Sequence, residues 1–205
     1  MYNGKALVTK GVFYYDVQSE RSVLRLTSPE EVISIEEKSG NTVSYIPRSN
    51  SVSYKQKTFS STSDNLFKFF FKAGNADLGL KNRGFALASS NVKDNLIVKV
   101  FTPPAALVNS LQKVELVLQK NQPIYFASYD PKGRIANKTY FTKYATVQGV
   151  DIPFQITDFQ YIYLPKNKKD SIVTRTLYNS IRTNEQVDRN FLNYKIPANA
   201  TILSE

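Results

Sequence analysis

The sequence predicts a mainly β fold, a meander of antiparallel strands, on three observations. Short runs rich in Val, Ile, Tyr and Phe recur along the 205 residues, separated by turn-forming residues at hairpin spacing. One internal segment carries the helical period of 3.6 residues. Histidine, cysteine and tryptophan are absent while Tyr and Phe number 13 each, so the core is built largely from rings with and without a hydroxyl tip. A chain of this length buries roughly 70% of its unfolded surface and supports one sizeable core without disulfides.

The elements follow in order. The first two strands are expected over 6–15 and 22–27, joined by the polar turn Asp16-Val17-Gln18-Ser19-Glu20. Strands over 32–36 and 42–47 flank Ser39-Gly40-Asn41, a tight-turn signal, and a fifth covers 51–55. Ser61-Thr62-Ser63-Asp64 then offers helix-capping residues. Leu66, Phe67, Phe70 and Phe71 form one apolar stripe behind it, and Gly74-Asn75 closes the segment. The spacing predicts a helix over 63–74, with Lys68 and Lys72 as its polar flank in water. Strands over 84–89 and 96–102 are joined through Asp94-Asn95, and a short helical turn is expected at 104–110. Strands over 112–119 and 124–129 meet across Lys120-Asn121-Gln122-Pro123. Asp130-Pro131-Lys132-Gly133 is the strongest turn, because Pro presets φ at its first central position. It leads into a strand over 134–144, and strands over 152–163 and 171–180 end the meander. About twelve strands with hairpin connections favour antiparallel pairing. With no repeat, low-complexity tract or linker, one domain over 1–205 is the simplest organisation.

Several strands carry apolar or aromatic residues on both faces, among them Gly11-Val12-Phe13-Tyr14-Tyr15, the run from Leu96 to Phe101, and Phe159-Gln160-Tyr161-Ile162-Tyr163. Two explanations stand side by side. Tyr rings can cover an outer face with their hydroxyls in water. Alternatively, a strongly curved sheet leaves an apolar concave face that a single short helix does not fill.

The charge balance is 27 Lys+Arg against 17 Asp+Glu, a net +10. The charges are scattered, and the densest cluster, Lys166-Asn167-Lys168-Lys169, reads as a solvated hairpin loop ahead of a binding patch. Lys68 and Lys72 beside Phe67 and Phe71 imitate a nucleic-acid surface, but their spacing of four fits the flank of an amphipathic helix, so no nucleic-acid partner is expected. Without His or Cys, Ser-His and Cys-His nucleophile schemes are excluded, and no phosphate-binding glycine loop occurs. Glu30-Glu31 and Glu36-Glu37 are adjacent pairs whose members point apart on an extended chain, which disfavours shared acid–base work. Asn137-Lys138-Thr139 and Asn199-Ala200-Thr201 match the glycosylation sequon by chance. No catalytic residue, metal ligand or cofactor is therefore expected, and the protein reads as a binder rather than an enzyme. No apolar run approaches the roughly 18 residues of a spanning helix. Met1 is followed at once by Tyr-Asn-Gly-Lys, with no export signal in view.

The order of these features resembles the bacterial outer-membrane lipoprotein carrier (LolA-like) family, in a divergent form of the Bacteroidetes type. The resemblance runs through Gly11-Val12-Phe13-Tyr14-Tyr15, Ser28-Pro29-Glu30, and Thr42-Val43-Ser44-Tyr45-Ile46-Pro47. It continues through Lys113-Val114-Glu115-Leu116-Val117-Leu118, Pro123-Ile124-Tyr125, Tyr129-Asp130-Pro131-Lys132-Gly133 and Ile152-Pro153-Phe154. It ends on Phe191-Leu192-Asn193-Tyr194-Lys195-Ile196-Pro197-Ala198-Asn199-Ala200, similar to the family's F-x-F-x-x-P-x-x-A finish. A family Trp on the second strand is replaced near Leu24, and the family's long N-terminal helix is missing together with the signal.

The resemblance implies a strongly curved antiparallel sheet forming an open, incomplete β-barrel with a helical lid. It implies a monomeric periplasmic carrier that binds acyl chains of lipoproteins or lipids in an apolar cavity for transfer towards the outer membrane. Its partners would be acylated lipoproteins, an inner-membrane release complex and an outer-membrane acceptor. The alternative on the same scaffold is a periplasmic lipid-sensing or envelope-assembly protein. Arg21 is the arginine near the family's functional position, although no Pro follows it. The cavity lining expected from strand faces is Phe13, Tyr15, Leu24, Leu26, Val43, Tyr45, Leu96, Val98, Leu116 and Leu118, with Leu66, Phe67, Phe70 and Phe71 above them. Strand parity decides which of these travel together, and a shift of one residue flips a whole strand.

Overall fold

A computed structural model of the chain describes residues 6–55, 68–71, 77–166, 168–183 and 188–203. The fold is mainly β, with 56% of the described residues in strands. The chain divides into two compact units, Met1–Phe59 with Asn184–Glu205, and Ser60–Thr183.

The first unit holds a six-stranded sheet in the order β1(Lys10–Asp16), β2(Arg21–Ser28), β3(Val32–Glu36), β4(Thr42–Ile46), β5(Ser51–Lys55) and β13(Thr201–Ile202). β1 to β5 form an antiparallel meander. Asp16 shapes the first turn, its carboxylate accepting from the Ser19 hydroxyl at 2.5 Å and the Ser19 amide at 3.0 Å. Those bonds, the side-chain one foremost, hold the Asp16 carboxyl below its ordinary value. The register places Val23 opposite Ile35, Ile33 opposite Tyr45, and Tyr45 opposite Val52. These five residues are the buried core of the unit, and Val43, Tyr194, Ile196 and Ala200 pack against them.

The second unit holds a seven-stranded antiparallel sheet in the order β12-β11-β10-β9-β8-β7-β6. Its strands are β6(Ala86–Lys93), β7(Leu96–Thr102), β8(Lys113–Gln119), β9(Gln122–Tyr129), β10(Ile135–Val147), β11(Val150–Tyr163) and β12(Lys169–Leu177). One face carries Phe101, Val114, Leu116, Phe126, Phe141 and Ile156, all fully buried. Two buried polar side chains of this unit are paired: the Thr139 hydroxyl donates to Asp158 at 2.5 Å, and Ser128 donates to Asn137.

Each of the twelve expected strands is present, with ends displaced by a few residues. Three features differ from expectation. Among the described residues the strands form two open sheets rather than the one expected. β13 adds a short parallel pairing, Thr201 with Ser51 and Ile202 with Val52. The expected helix is visible only as a 3₁₀ turn, Lys68–Phe71, and Leu66, Phe67 and Lys72 lie outside the described residues. Lys68 is not in water as the amphipathic stripe implied: it is 9% exposed. A 3₁₀ turn sets side chains about 120° apart rather than 100°, so the stripe drawn on an α-helix does not survive in it.

Candidate functional site

The first unit has an amphipathic cleft of about 350 Å³, lined by Arg25, Glu31, Ile33, Pro47, Asn190, Phe191 and Tyr194. Its floor is the core face of the sheet. Its cover is the C-terminal segment, which crosses that face as the short helix α1(Arg189–Leu192) and an extended stretch into β13. Asp188 caps α1, its carboxylate accepting from the Asn190 amide at 3.0 Å.

Two arginines hold this cover. Arg21 donates from Nε to the Leu192 carbonyl at 2.7 Å and from Nη2 to the Tyr194 carbonyl at 3.2 Å, and it pairs with Glu37. Arg25 donates from Nε to Glu31 at 2.8 Å and stands over the Phe191 ring, 4.6 Å from its centroid. Phe191 also stacks on Tyr14 at 5.7 Å, and Tyr194 meets Tyr45 at 6.3 Å. Burial pushes the Tyr194 phenol above its ordinary value, with Tyr45 and Glu31 adding to the shift. Further along, the Asn50 amide group donates to the Asn199 carbonyl at 3.1 Å, and the Thr201 amide to the Asn50 carbonyl at 2.9 Å. Of the two acidic pairs, Glu31 is ion-paired with Arg25 and Glu37 with Arg21.

The residues expected to line a cavity do not share one surface within either sheet. Directly paired residues lie on the same face. Phe13 pairs with Leu24, and Leu26 with Gly11, so Phe13, Tyr15, Leu24 and Leu26 form one half-buried face of the first sheet. Val43 and Tyr45 pair with Ile35 and Ile33 on the opposite, core face. In the second sheet Leu116 pairs with Phe126 on the buried face, together with Leu118, whereas Val98 pairs with Val117 on the other face with Leu96. Phe70 lies on the buried side, its ring 5.4 Å from that of Phe141 and 6.1 Å from that of Tyr144, and Phe71 beside it is half-buried. The cleft escaped the parity reading because Ile33 and Pro47 meet Phe191 and Tyr194 of the C-terminal segment, which is remote in sequence. The signal that could have found them is the aromatic finish from Phe191 to Ala200.

Among the described residues no group of three or more acidic side chains has the geometry to hold a metal ion, and no helix is long and apolar enough to cross a membrane.

No protein-family model matches the sequence, and no curated protein does. Solved structures share the fold. A DUF1329 family protein from Desulfovibrio piger superposes with a TM-score of 0.54 at 13% identity, over 92% of this chain and 84% of that one. A LolA superfamily protein from Nitrosomonas europaea gives 0.54 at 15% identity, over 92% and 84%. A domain assigned as an outer membrane lipoprotein-sorting protein from Vibrio parahaemolyticus gives 0.51 at 12% identity, over 89% and 79%. At these identities the likeness is one of fold, and function has to be argued from the site.

Proposed function

We propose that this chain, which shares its fold with LolA-superfamily proteins, is a non-catalytic periplasmic carrier that shelters acyl chains of lipids or lipoproteins from water on their way to the outer membrane. The observation that carries the proposal is the cleft between the core face of the first sheet and the C-terminal segment, floored by Ile33 and covered by Phe191 and Tyr194. Its volume of about 350 Å³ lies at the lower end of the roughly 300–1,000 Å³ of small-molecule sites. Each methylene hidden from water contributes about 0.8 kcal/mol, so ten of them contribute about 8 kcal/mol. Before the costs of ordering are subtracted, that corresponds to roughly micromolar affinity. Ile33, Pro47, Phe191 and Tyr194 supply the apolar part of the lining this task needs, beside the polar Arg25, Glu31 and Asn190. Arg25 at the rim, shared between Glu31 and the Phe191 ring, is placed to meet a polar head where the chain enters.

In this reading the cover is the C-terminal segment, held by hydrogen bonds that water can replace. The partners would be the acylated cargo and the membrane machinery that delivers and receives it. The test is native mass spectrometry of the chain purified from a periplasm without detergent. The expected result is protein carrying acyl-bearing adducts, with Phe191→Ala reducing their occupancy. A wild-type protein that carries none, and takes up none when mixed with fatty acid, would overturn the proposal.

A further inference from the structure

The second sheet has a face that the carrier reading does not use. Opposite its buried side, register places Tyr125 beside Tyr140, Lys138 beside Phe159, Phe159 beside Val173, and Tyr163 beside Lys169. The rings meet edge to face or tilted: Tyr125 and Tyr140 at 57°, Tyr140 and Phe159 at 85°. Cations fill the remaining ring surfaces. Lys138 Nζ lies 4.9 Å from the Phe159 centroid and 5.3 Å from that of Tyr140, and Lys169 Nζ lies 3.6 Å from that of Tyr161. Arg134 stands 4.0 Å over Tyr163, and Lys113 4.4 Å over Tyr129. Neither Lys138 nor Lys169 has an ion pair among the described residues, and register puts Asp158 and Asp170 on the opposite face. Tyr161 and Tyr140 beside it raise the Lys138 pKa, so that ammonium stays charged at all ordinary pH.

We propose that this face is a docking surface for an anionic lipid bilayer, with Lys138 and Lys169 making the principal contacts to headgroup phosphates. Charge complementarity carries the assignment. Lys138 and Lys169, neither of them ion-paired among the described residues, are continued by Lys166 and Lys168 in the adjoining loop of a chain of net charge +10, while Arg134 is paired with Asp130 and Glu115 shares the face with Tyr125 and Tyr129. The rings hold the ammonium groups in place, which lowers the entropy lost when they meet a phosphate. Tyr140 and Val173, 37% and 52% exposed, add apolar contact at headgroup depth. Single-stranded nucleic acid fits less well, because base stacking needs open ring faces and here the protein's own cations occupy them. The surface belongs to the second unit and the cleft to the first, and its test does not depend on whether the cleft holds an acyl chain.

The experiment is cosedimentation of the full chain with phosphatidylcholine vesicles, with and without phosphatidylglycerol, at low and raised salt. Binding is expected only with phosphatidylglycerol and falls as salt rises. Lys138→Gln and Lys169→Gln should each weaken it about fivefold, from the contribution of one basic residue near an anionic surface. Lys138→Arg keeps the charge and should keep the binding. The control substitutions Lys55→Gln and Lys81→Gln should leave it unchanged. The proposal is overturned by equal binding to both vesicle types, by equal losses from the control lysines, by loss of binding in Lys138→Arg, or by tighter binding to a single-stranded oligonucleotide.

Discussion

Arg21 and Arg25 explain why the first sheet's faces were misread from sequence. In β2 the parity set Arg21, Val23 and Arg25 looks polar, and the alternate set Leu24 and Leu26 looks apolar. Yet Val23 is fully buried. Carbonyls of the C-terminal segment and two glutamates satisfy the guanidinium groups that flank it, so the charged set faces the covered side. The same inversion occurs in β7, where Lys99 shares parity with fully buried Phe101 and Leu96 and Val98 are the half-buried alternates. Hydrophobic alternation reads a face correctly only when no distant segment satisfies its charges. Arg21→Ala removes two bonds to the cover and should cost about 1–3 kcal/mol of stability. Amide hydrogen exchange should then accelerate selectively over 191–203. Unchanged exchange there would mean that the segment is held by its rings alone.

Tyr144 makes a pH-dependent contribution in the second unit. Its hydroxyl donates to the Pro123 carbonyl, and burial, with the charge of Asp151 adding, raises its pKa above the ordinary value. A raised folded-state pKa gives stability that is fully present below the unfolded value near 10 and is lost as pH climbs above it. Alkaline titration followed by phenolate absorbance should therefore show Tyr144 ionising only as the fold is lost. Tyr144→Phe should remove one late-titrating phenol from the curve, and a variant curve that matches the wild type would contradict this placement.

At the scale of elements, the hairpins were the most legible feature, because left-handed turns announce themselves in sequence. Asp94-Asn95, Lys120-Asn121 and Gln148-Gly149 each take positive φ at both residues, the geometry of two-residue hairpin loops. Strand β9 consequently starts at Gln122, two residues earlier than expected, and Pro123 sits at a register shift where its missing N–H does no harm. Of the helix expected over 63–74 only Lys68–Phe71 falls within the described residues, and that stretch winds as a 3₁₀ turn. The short parallel β13 was hidden by its length and by the sequence distance to β5. Two glycines separate steric need from conformational need. A Cβ at Gly11 would lie 2.3 Å from the Arg25 carbonyl oxygen, whereas one at Gly149 would meet nothing within 4 Å. Gly149 has φ of +81°, so its replacement carries only backbone strain. Gly149→Ala should cost about 1 kcal/mol, and Gly11→Ala more, about 2–3 kcal/mol, because backbone must move. Urea unfolding midpoints measure both, and the reverse order would show that β1 yields at its register shift.

The whole molecule combines an amphipathic cleft under a hydrogen-bonded cover in one unit with a lysine- and aromatic-bearing sheet face in the other. The first is suited to hiding hydrocarbon, the second to approaching anionic interfaces, and the two respond to different variables. Burial of methylenes grows with chain length and is little affected by ionic strength, whereas attraction between exposed charges is screened by salt. The most direct measurement is therefore a titration of the full chain with fatty acids of increasing length, at low and raised salt, with wild type beside Phe191→Ala. Affinity is expected to rise with each added methylene until the cleft is full, to survive raised salt, and to fall in the variant. Affinity that ignores chain length and disappears with salt would contradict this expectation.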